Sequence, residues 1–147
     1  MQIRFITGNL FDADNTFALA HCISSDFAMG KGIAVEFTNR GVKNYLKTTY
    51  PDKTWTGVGY CLKAPISGHP IVYNLVTKQN YWHKPTYDTI TNALEDMKRM
   101  AVNDSIPRIA MPRIGCGLDR LVWDRVENII KTVFADTDIE IAVYSLN

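Results

Sequence analysis

Met111-Pro112-Arg113-Ile114-Gly115-Cys116-Gly117-Leu118-Asp119 follows an apolar run at 106–110 and precedes a segment of strong helical periodicity. That order predicts a strand, a glycine loop and a helix. Gly115 and Gly117 have no Cβ, so the backbone can turn tightly there and offer several N–H groups to a ligand at close range, which is how phosphates are held. The helix is predicted to begin near Trp123, because Val126, Ile129, Ile130, Val133 and Phe134 recur at i, i+3, i+4, i+7 and i+8. Its amino end would add favourable partial charge for an anion. Asp119 is a residue type that caps helices, but it lies about a turn too early to cap one that starts near 123. A carboxylate beside a phosphate cradle opposes anion binding, so its presence points to another use, base catalysis or a ribose contact.

Working outward, the amino-terminal stretch 2–7 reads as a strand running into a turn at Gly8-Asn9, with Leu10 and Phe11 beyond it. The nearly continuous apolar run 17–24 suits a strand covered on both faces, and His21 within it reads as a hydrogen-bonded core histidine. A second glycine loop, Asp26-Phe27-Ala28-Met29-Gly30-Lys31-Gly32, leads into a helix at Ile33, repeating the first pattern. Gly30-Lys31 invites comparison with a P-loop. The residue five before Gly30 is Ser25 rather than Gly, however, and Gly32 stands where a magnesium-binding Ser or Thr would be, so a nucleoside triphosphatase is rejected. Lys31 reads as a solvated side chain.

A short helix is expected over 41–50, ended by Pro51, and strands over 55–62 and 70–77 with Gly68-His69-Pro70 as the turn between them. These two neighbours make part of the sheet antiparallel. Lys78 falls at the end of the second. An isolated lysine there usually marks a strand's exit into water. In open α/β sheets, however, ligands bind outside the carboxyl ends of the strands, and a partly desolvated amine in that place is a candidate nucleophile. Pro85-Thr86-Tyr87 opens another helix, with Ile90, Ala93, Leu94, Met97 and Ala101 at helical spacing, and 139–146 closes the sheet. The order β, β, α, β, β, α, β, α, β predicts a three-layer α/β/α fold with a mixed central sheet flanked by helices.

A chain of 147 residues, 46% of them hydrophobic, is expected to form one domain spanning 1–147 without a linker. The net charge of +1 gives no general drive toward nucleic acid. The amino terminus lacks the apolar core of a signal peptide and no run is long enough to span a membrane, so a cytoplasmic protein is expected, or a nuclear one by diffusion, with no membrane partner. Cys22, Cys61 and Cys116 are widely spaced and odd in number, which indicates neither a disulfide framework nor a metal site. Cys116 reads as a small residue that fits between glycines rather than as a nucleophile.

Several segments resemble, in order, those of the macro domain, the ADP-ribose-binding α/β module, and in particular its terminal ADP-ribose protein glycohydrolase branch. They are Gly8-Asn9-Leu10-Phe11, Ala20-His21-Cys22-Ile23-Ser24, 29–35, Thr77-Lys78, His83-Lys84-Pro85-Thr86-Tyr87 and 111–121. Bacterial antitoxin domains that remove ADP-ribose from DNA are similar in the glycine loop and lysine. The resemblance implies that Lys78 attacks the anomeric carbon of the distal ribose and Asp119 is its acid/base partner. A transient lysyl ADP-ribose adduct would form, without metal or cofactor. It further implies that Arg113, Ile114, Gly115, Cys116, Gly117 and Leu118 wrap the diphosphate and distal ribose, with Gly30, Gly32 and Ile33 facing them and Gly8 and Ser24 among the binding residues. Leu10 and Leu146 would lie against the adenine. Asn9 stands where many macro domains have an Asp for the adenine amine. Its carbonyl can still accept, without charge assistance.

The activity this implies is removal of ADP-ribose from a carrier, a glutamate or aspartate ester on protein in the leading reading, with a monomer as the working form. Release of phosphate from ADP-ribose 1″-phosphate, a non-catalytic ADP-ribose reader and removal of ADP-ribose from nucleic acid are the alternatives. A reader needs no lysine at the anomeric carbon, so the presence of both Lys78 and Asp119 favours catalysis.

Overall fold

The computed structural model describes residues 1–117 and 119–146. In it, β1 (Gln2–Thr7), β2 (Phe17–Ser24), β3 (Tyr60–Ile66), β4 (His69–Lys78), β5 (Arg108–Pro112) and β6 (Glu140–Ser145) form one six-stranded sheet in the order β1-β6-β5-β2-β4-β3. Every neighbouring pair is parallel except β3 and β4. The helices are α1 (Ile33–Asn39), α2 (Val42–Thr49), α3 (Tyr87–Asn103) and α4 (Trp123–Phe134), with a 3₁₀ turn at Leu10–Asp12.

The period-2 alternation of the strands sorts their side chains into two cores. On one face Ala18, Ala20, Tyr73, Leu75, Ile109, Met111, Ile141 and Val143 pack with α3 and α4 through Ile90, Leu94, Met97, Val126, Ile130 and Phe134. On the other, Phe17, Leu19, Ile23, Val72, Val76, Ala110 and Ala142 meet Phe37 of α1 and Val42 and Leu46 of α2. This is the expected three-layer arrangement. His21 is fully buried, its Nε2 lies 2.7 Å from Asn74 Oδ1, and its ring stacks on Phe37 with centroids 3.8 Å apart. Burial lowers its pKa from 6.5 to about 4, against the opposing pull of the Asn74 hydrogen bond, so the imidazole is neutral at physiological pH.

Two boundaries differ from expectation. The strand expected at 55–62 runs instead from Tyr60 to Ile66, and its hairpin turn is Ser67-Gly68, with His69 already in β4. Pro65 argues against a strand in sequence, but β3 is an edge strand and its ladder is irregular between Ala64 and Ile66, where a missing N–H is tolerated. β3 begins just after Gly59, which is pressed against α3: a Cβ there would lie 2.0 Å from the Thr89 carbonyl oxygen. Between β2 and β3 lie the two helices expected there, parted at Gly41 with φ of 89°.

Candidate active site

Because β1, β6, β5, β2 and β4 all run parallel, their carboxyl ends share one edge of the sheet. The segments leaving β2, β4 and β5 there enclose a cleft of about 760 Å³. Ser24, Gly30, Gly32, Ile33, Lys78, Arg113, Ile114, Gly115, Gly117 and Asp119 all line it.

Lys78 reaches the cleft through an irregularity. Ile23 pairs with Val76 but Ser24 pairs with Lys78, so Thr77 is an extra residue on β4. Bulges of this kind re-aim the side chain that follows. Lys78 Nζ donates to Asp119 Oδ1 at 2.7 Å, and the two side chains are only 14% and 16% exposed. They come from segments 41 residues apart. Asp119 does not cap α4, whose N-cap is Val122 without a side-chain cap bond. The start of α4 lies outside the cleft lining, and Asp124 occupies its first turn, so the loop itself rather than the helix end faces the cavity.

That loop is shaped by sterics. Gly115 has φ of 73°, and a Cβ on it would lie 2.6 Å from Ile90 Cδ1 and 3.1 Å from Leu121 Cδ1. Leu121 N–H closes the turn on the Gly115 carbonyl at 2.7 Å. The opposite wall is shaped by polar clamps. Asp26 Oδ1 accepts from the Ser24 hydroxyl at 2.5 Å and the Ala28 N–H at 3.0 Å, and Oδ2 accepts from the Tyr81 N–H at 3.0 Å. Burial opposes the charge on Asp26, but the Ser24, Ala28 and Tyr81 hydrogen bonds outweigh it and hold the carboxyl below the usual carboxylate range. Thr38 Oγ1 donates to the Met29 carbonyl at 3.1 Å and Lys43 Nζ to the Ala28 carbonyl at 3.0 Å.

Lys31, Lys78, Lys84 and Arg113 stand in the lining against one carboxylate, Asp119. A chain that is nearly neutral overall therefore concentrates cations around this cavity, which suits a polyanion. Cys22 in the cleft lining and Cys116 in the loop both keep their protons. Burial, then the charge of Asp119, pushes the Cys22 thiol far above its ordinary range. Burial likewise raises Cys116, whose Sγ donates to the Ile114 carbonyl at 3.3 Å. Among the described residues no group of three His, Cys, Asp or Glu could hold a metal ion, and no helix is long and apolar enough to cross a membrane.

The remaining sequence candidates lie elsewhere. Gly8, Asn9 and Leu146 sit at the carboxyl ends of β1 and β6, on the same edge but outside the cleft lining. Asn9 Oδ1 accepts from the Phe11 N–H at 2.9 Å and caps the 3₁₀ turn. Leu10 is buried in the α1–α2 core, and Leu146 is 77% exposed. Cys116 packs toward the α3–α4 core, and Leu118 lies outside the described residues. Sequence reasoning gave no role to Asp26 or to Tyr81 and Trp82, which are 57% and 64% exposed at the cleft mouth. The abrupt aromatic pair in a polar stretch was a usable signal. The partner of Asp26, 55 residues away, was not readable.

Residues 20–130 match the family model described as Macro domain. The chain is 43% identical over 147 residues to the ADP-ribose glycohydrolase OARD1 of Homo sapiens, with 99% of this chain and 92% of that protein covered. It is 25% identical over 148 residues to the DNA ADP-ribosyl glycohydrolase of Thermus aquaticus, covering 97% of this chain and 41% of that protein. Among solved structures, the macrodomain of Mycobacterium tuberculosis DarG is similar with a TM-score of 0.80 at 25% identity, covering 97% of each chain.

Proposed function

The chain belongs to the macro domain family, and on that premise we propose that it is a hydrolase that removes ADP-ribose from carboxylate-linked ADP-ribosyl protein, with Lys78 as nucleophile and Asp119 as its proton partner. The observation that carries this reading is the 2.7 Å contact between Lys78 Nζ and Asp119 Oδ1 inside a cationic cleft at the strand ends. As an ammonium, Lys78 has no free electron pair. Proton transfer across that contact leaves a neutral amine and a protonated acid.

The amine nitrogen then bonds to the anomeric carbon of the distal ribose. The bond from that carbon to the carrier's ester oxygen breaks, and the carrier leaves with the electron pair as a carboxylate. The protonated Asp119 gives its proton to the departing carboxylate, and the carboxylate this restores on Asp119 takes the surplus proton from the nitrogen. Ring opening gives an imine, water adds to it, and expulsion of the lysine amine frees ADP-ribose. Lys31, Lys84 and Arg113 supply positive charge for the diphosphate, and Gly30, Gly32, Gly115 and Gly117 let the backbone approach it. Micromolar affinity for ADP-ribose is expected, about 8 kcal/mol.

A second carrier, nucleic acid, is favoured by one feature. Tyr81 and Trp82 are exposed at the cleft mouth, with ring centroids 5.0 Å apart in an edge-to-face pair, and exposed aromatics beside cations stack on bases. Turnover by wild type and Lys78→Ala should be compared on glutamate-linked ADP-ribosyl protein, ADP-ribosylated single-stranded DNA and ADP-ribose 1″-phosphate. Loss of protein and DNA turnover in the variant supports the assignment. Phosphate release that survives without Lys78, with the other substrates untouched by wild type, replaces it with a phosphatase.

A further inference from the structure

Asp26 does not line the cleft, yet its two carboxylate oxygens face two different walls of it. Oδ1 holds the loop that follows β2, through the Ser24 hydroxyl and the Ala28 N–H. Oδ2 holds the turn that follows Lys78, through the Tyr81 N–H. We propose that Asp26 is a positioning residue that locks the loop 25–32 to the turn carrying Tyr81 and Trp82, fixing the width of the cleft beside Lys78. The inference rests on the hydrolase reading for its effect on turnover, but the lock itself does not depend on that reading.

Three observations support it. First, the loop is not relaxed backbone. Phe27 and Met29 adopt φ of 53° and 47°, a region that L residues with a Cβ avoid, while both are buried. Such a conformation persists only where neighbours over-determine it. Asp26 Oδ1, the Thr38 hydroxyl and Lys43 are those neighbours. Secondly, the other bonds that cross from this loop run from Ser25 to the carbonyls of Lys78, the last residue of β4, and Gln79, the residue after it. Among the described residues, the Asp26 bond is the one that reaches as far as Tyr81. Thirdly, the turn is otherwise closed only on itself, by His83 N–H to the Asn80 carbonyl at 3.0 Å and Asn80 N–H to His83 Nδ1 at 3.2 Å. Without Asp26, a turn bearing two exposed aromatics has no described tie across the cleft.

Asparagine separates the two halves of the role. Asp26→Asn keeps one acceptor oxygen for the Ala28 N–H and turns an amide NH₂ toward the Tyr81 N–H, donor against donor. If the amide flips, Ala28 loses its acceptor instead. Either way one wall is released. The wild-type protein gives the first test, with no variant needed: the Tyr81 amide should exchange with solvent slowly, at least about tenfold slower than the Trp82 amide, although the Tyr81 side chain is 57% exposed.

In Asp26→Asn, shown to be folded by its denaturation midpoint, Tyr81 exchange should rise about tenfold. Affinity for free ADP-ribose should change less than threefold, and kcat on the ADP-ribosyl carrier should fall about 10- to 100-fold, as a misplaced wall predicts. Asp26→Glu should not restore kcat, because its longer side chain misplaces both oxygens. An unprotected Tyr81 amide in wild type overturns the lock outright. So does an Asp26→Asn variant with wild-type kcat, or one whose loss of kcat matches its unfolded fraction. If wild type hydrolyses nothing, the exchange and binding measurements still decide the lock, and only the hydrolase reading fails.

Discussion

The cleft has two glycine-containing walls that reach their shapes by different means. The wall after β5 is held by the absence of a side chain: Gly115, with φ of 73°, leaves room for Ile90 and Leu121. The wall after β2 contains glycines too, but its left-handed residues are Phe27 and Met29, and side-chain hydrogen bonds from Asp26, Thr38 and Lys43 hold it. The first wall delivers a carboxylate to Lys78, and the second delivers backbone and cations. A glycine motif thus says where a chain can turn, while neighbours decide whether the turn is set by space or by polar contacts.

The two walls should respond differently to substitution. The largest effect is expected on the wall that carries chemistry. Asp119→Asn removes the proton partner of Lys78 and should lower kcat by about 10²- to 10⁴-fold, with ADP-ribose affinity retained, as read by single-turnover kinetics and calorimetry. A response to pH lies beneath the other wall. His21 has a folded pKa of about 4 against 6.5 unfolded, so stability is full above 6.5 and falls as pH drops toward 4, because the unfolded chain gains the proton first. The difference amounts to about 3 kcal/mol. Denaturant midpoints across that range should follow it, and the imidazole resonances of His21 should stay those of the neutral ring at pH 6.

Gly115→Ala sharpens the steric side of the comparison. It forces a Cβ onto Ile90 at a left-handed φ and should cost about 2–3 kcal/mol, with part recovered in the Gly115→Ala, Ile90→Val double variant. On the polar side, Thr38→Val removes the bond to the Met29 carbonyl and should cost about 1 kcal/mol, as read by the denaturant midpoint. If Gly115→Ala proves neutral, or Thr38→Val the more damaging of the two, the contrast between the walls is wrong.

The fold was legible because its signals are local and periodic. The run 17–24 announced a doubly covered strand, the spacing 126–134 placed the start of α4 near Trp123, and Thr86 caps α3 where Pro85-Thr86-Tyr87 suggested a start. β3 was misplaced because its decisive features are Pro65 on an edge and Gly59 against Thr89, whose meaning depends on the neighbouring strand and helix. In the site, the residue types of Lys78 and Asp119 at strand end and loop were readable, and the fold brings them together. The Asp26–Tyr81 tie, the bulge at Thr77 and the burial of Leu10 are tertiary facts with no sequence pattern of their own.

On the proposed mechanism, Lys78 becomes covalently bonded to the distal ribose during turnover. Wild type should be quenched with borohydride while turning over glutamate-linked ADP-ribosyl protein, then digested and sequenced by mass spectrometry. An ADP-ribosyl mass reduced onto the peptide bearing Lys78 is expected, absent from Lys78→Arg and absent without substrate. Full turnover with no adduct on Lys78, or turnover that survives in Lys78→Arg, would contradict it.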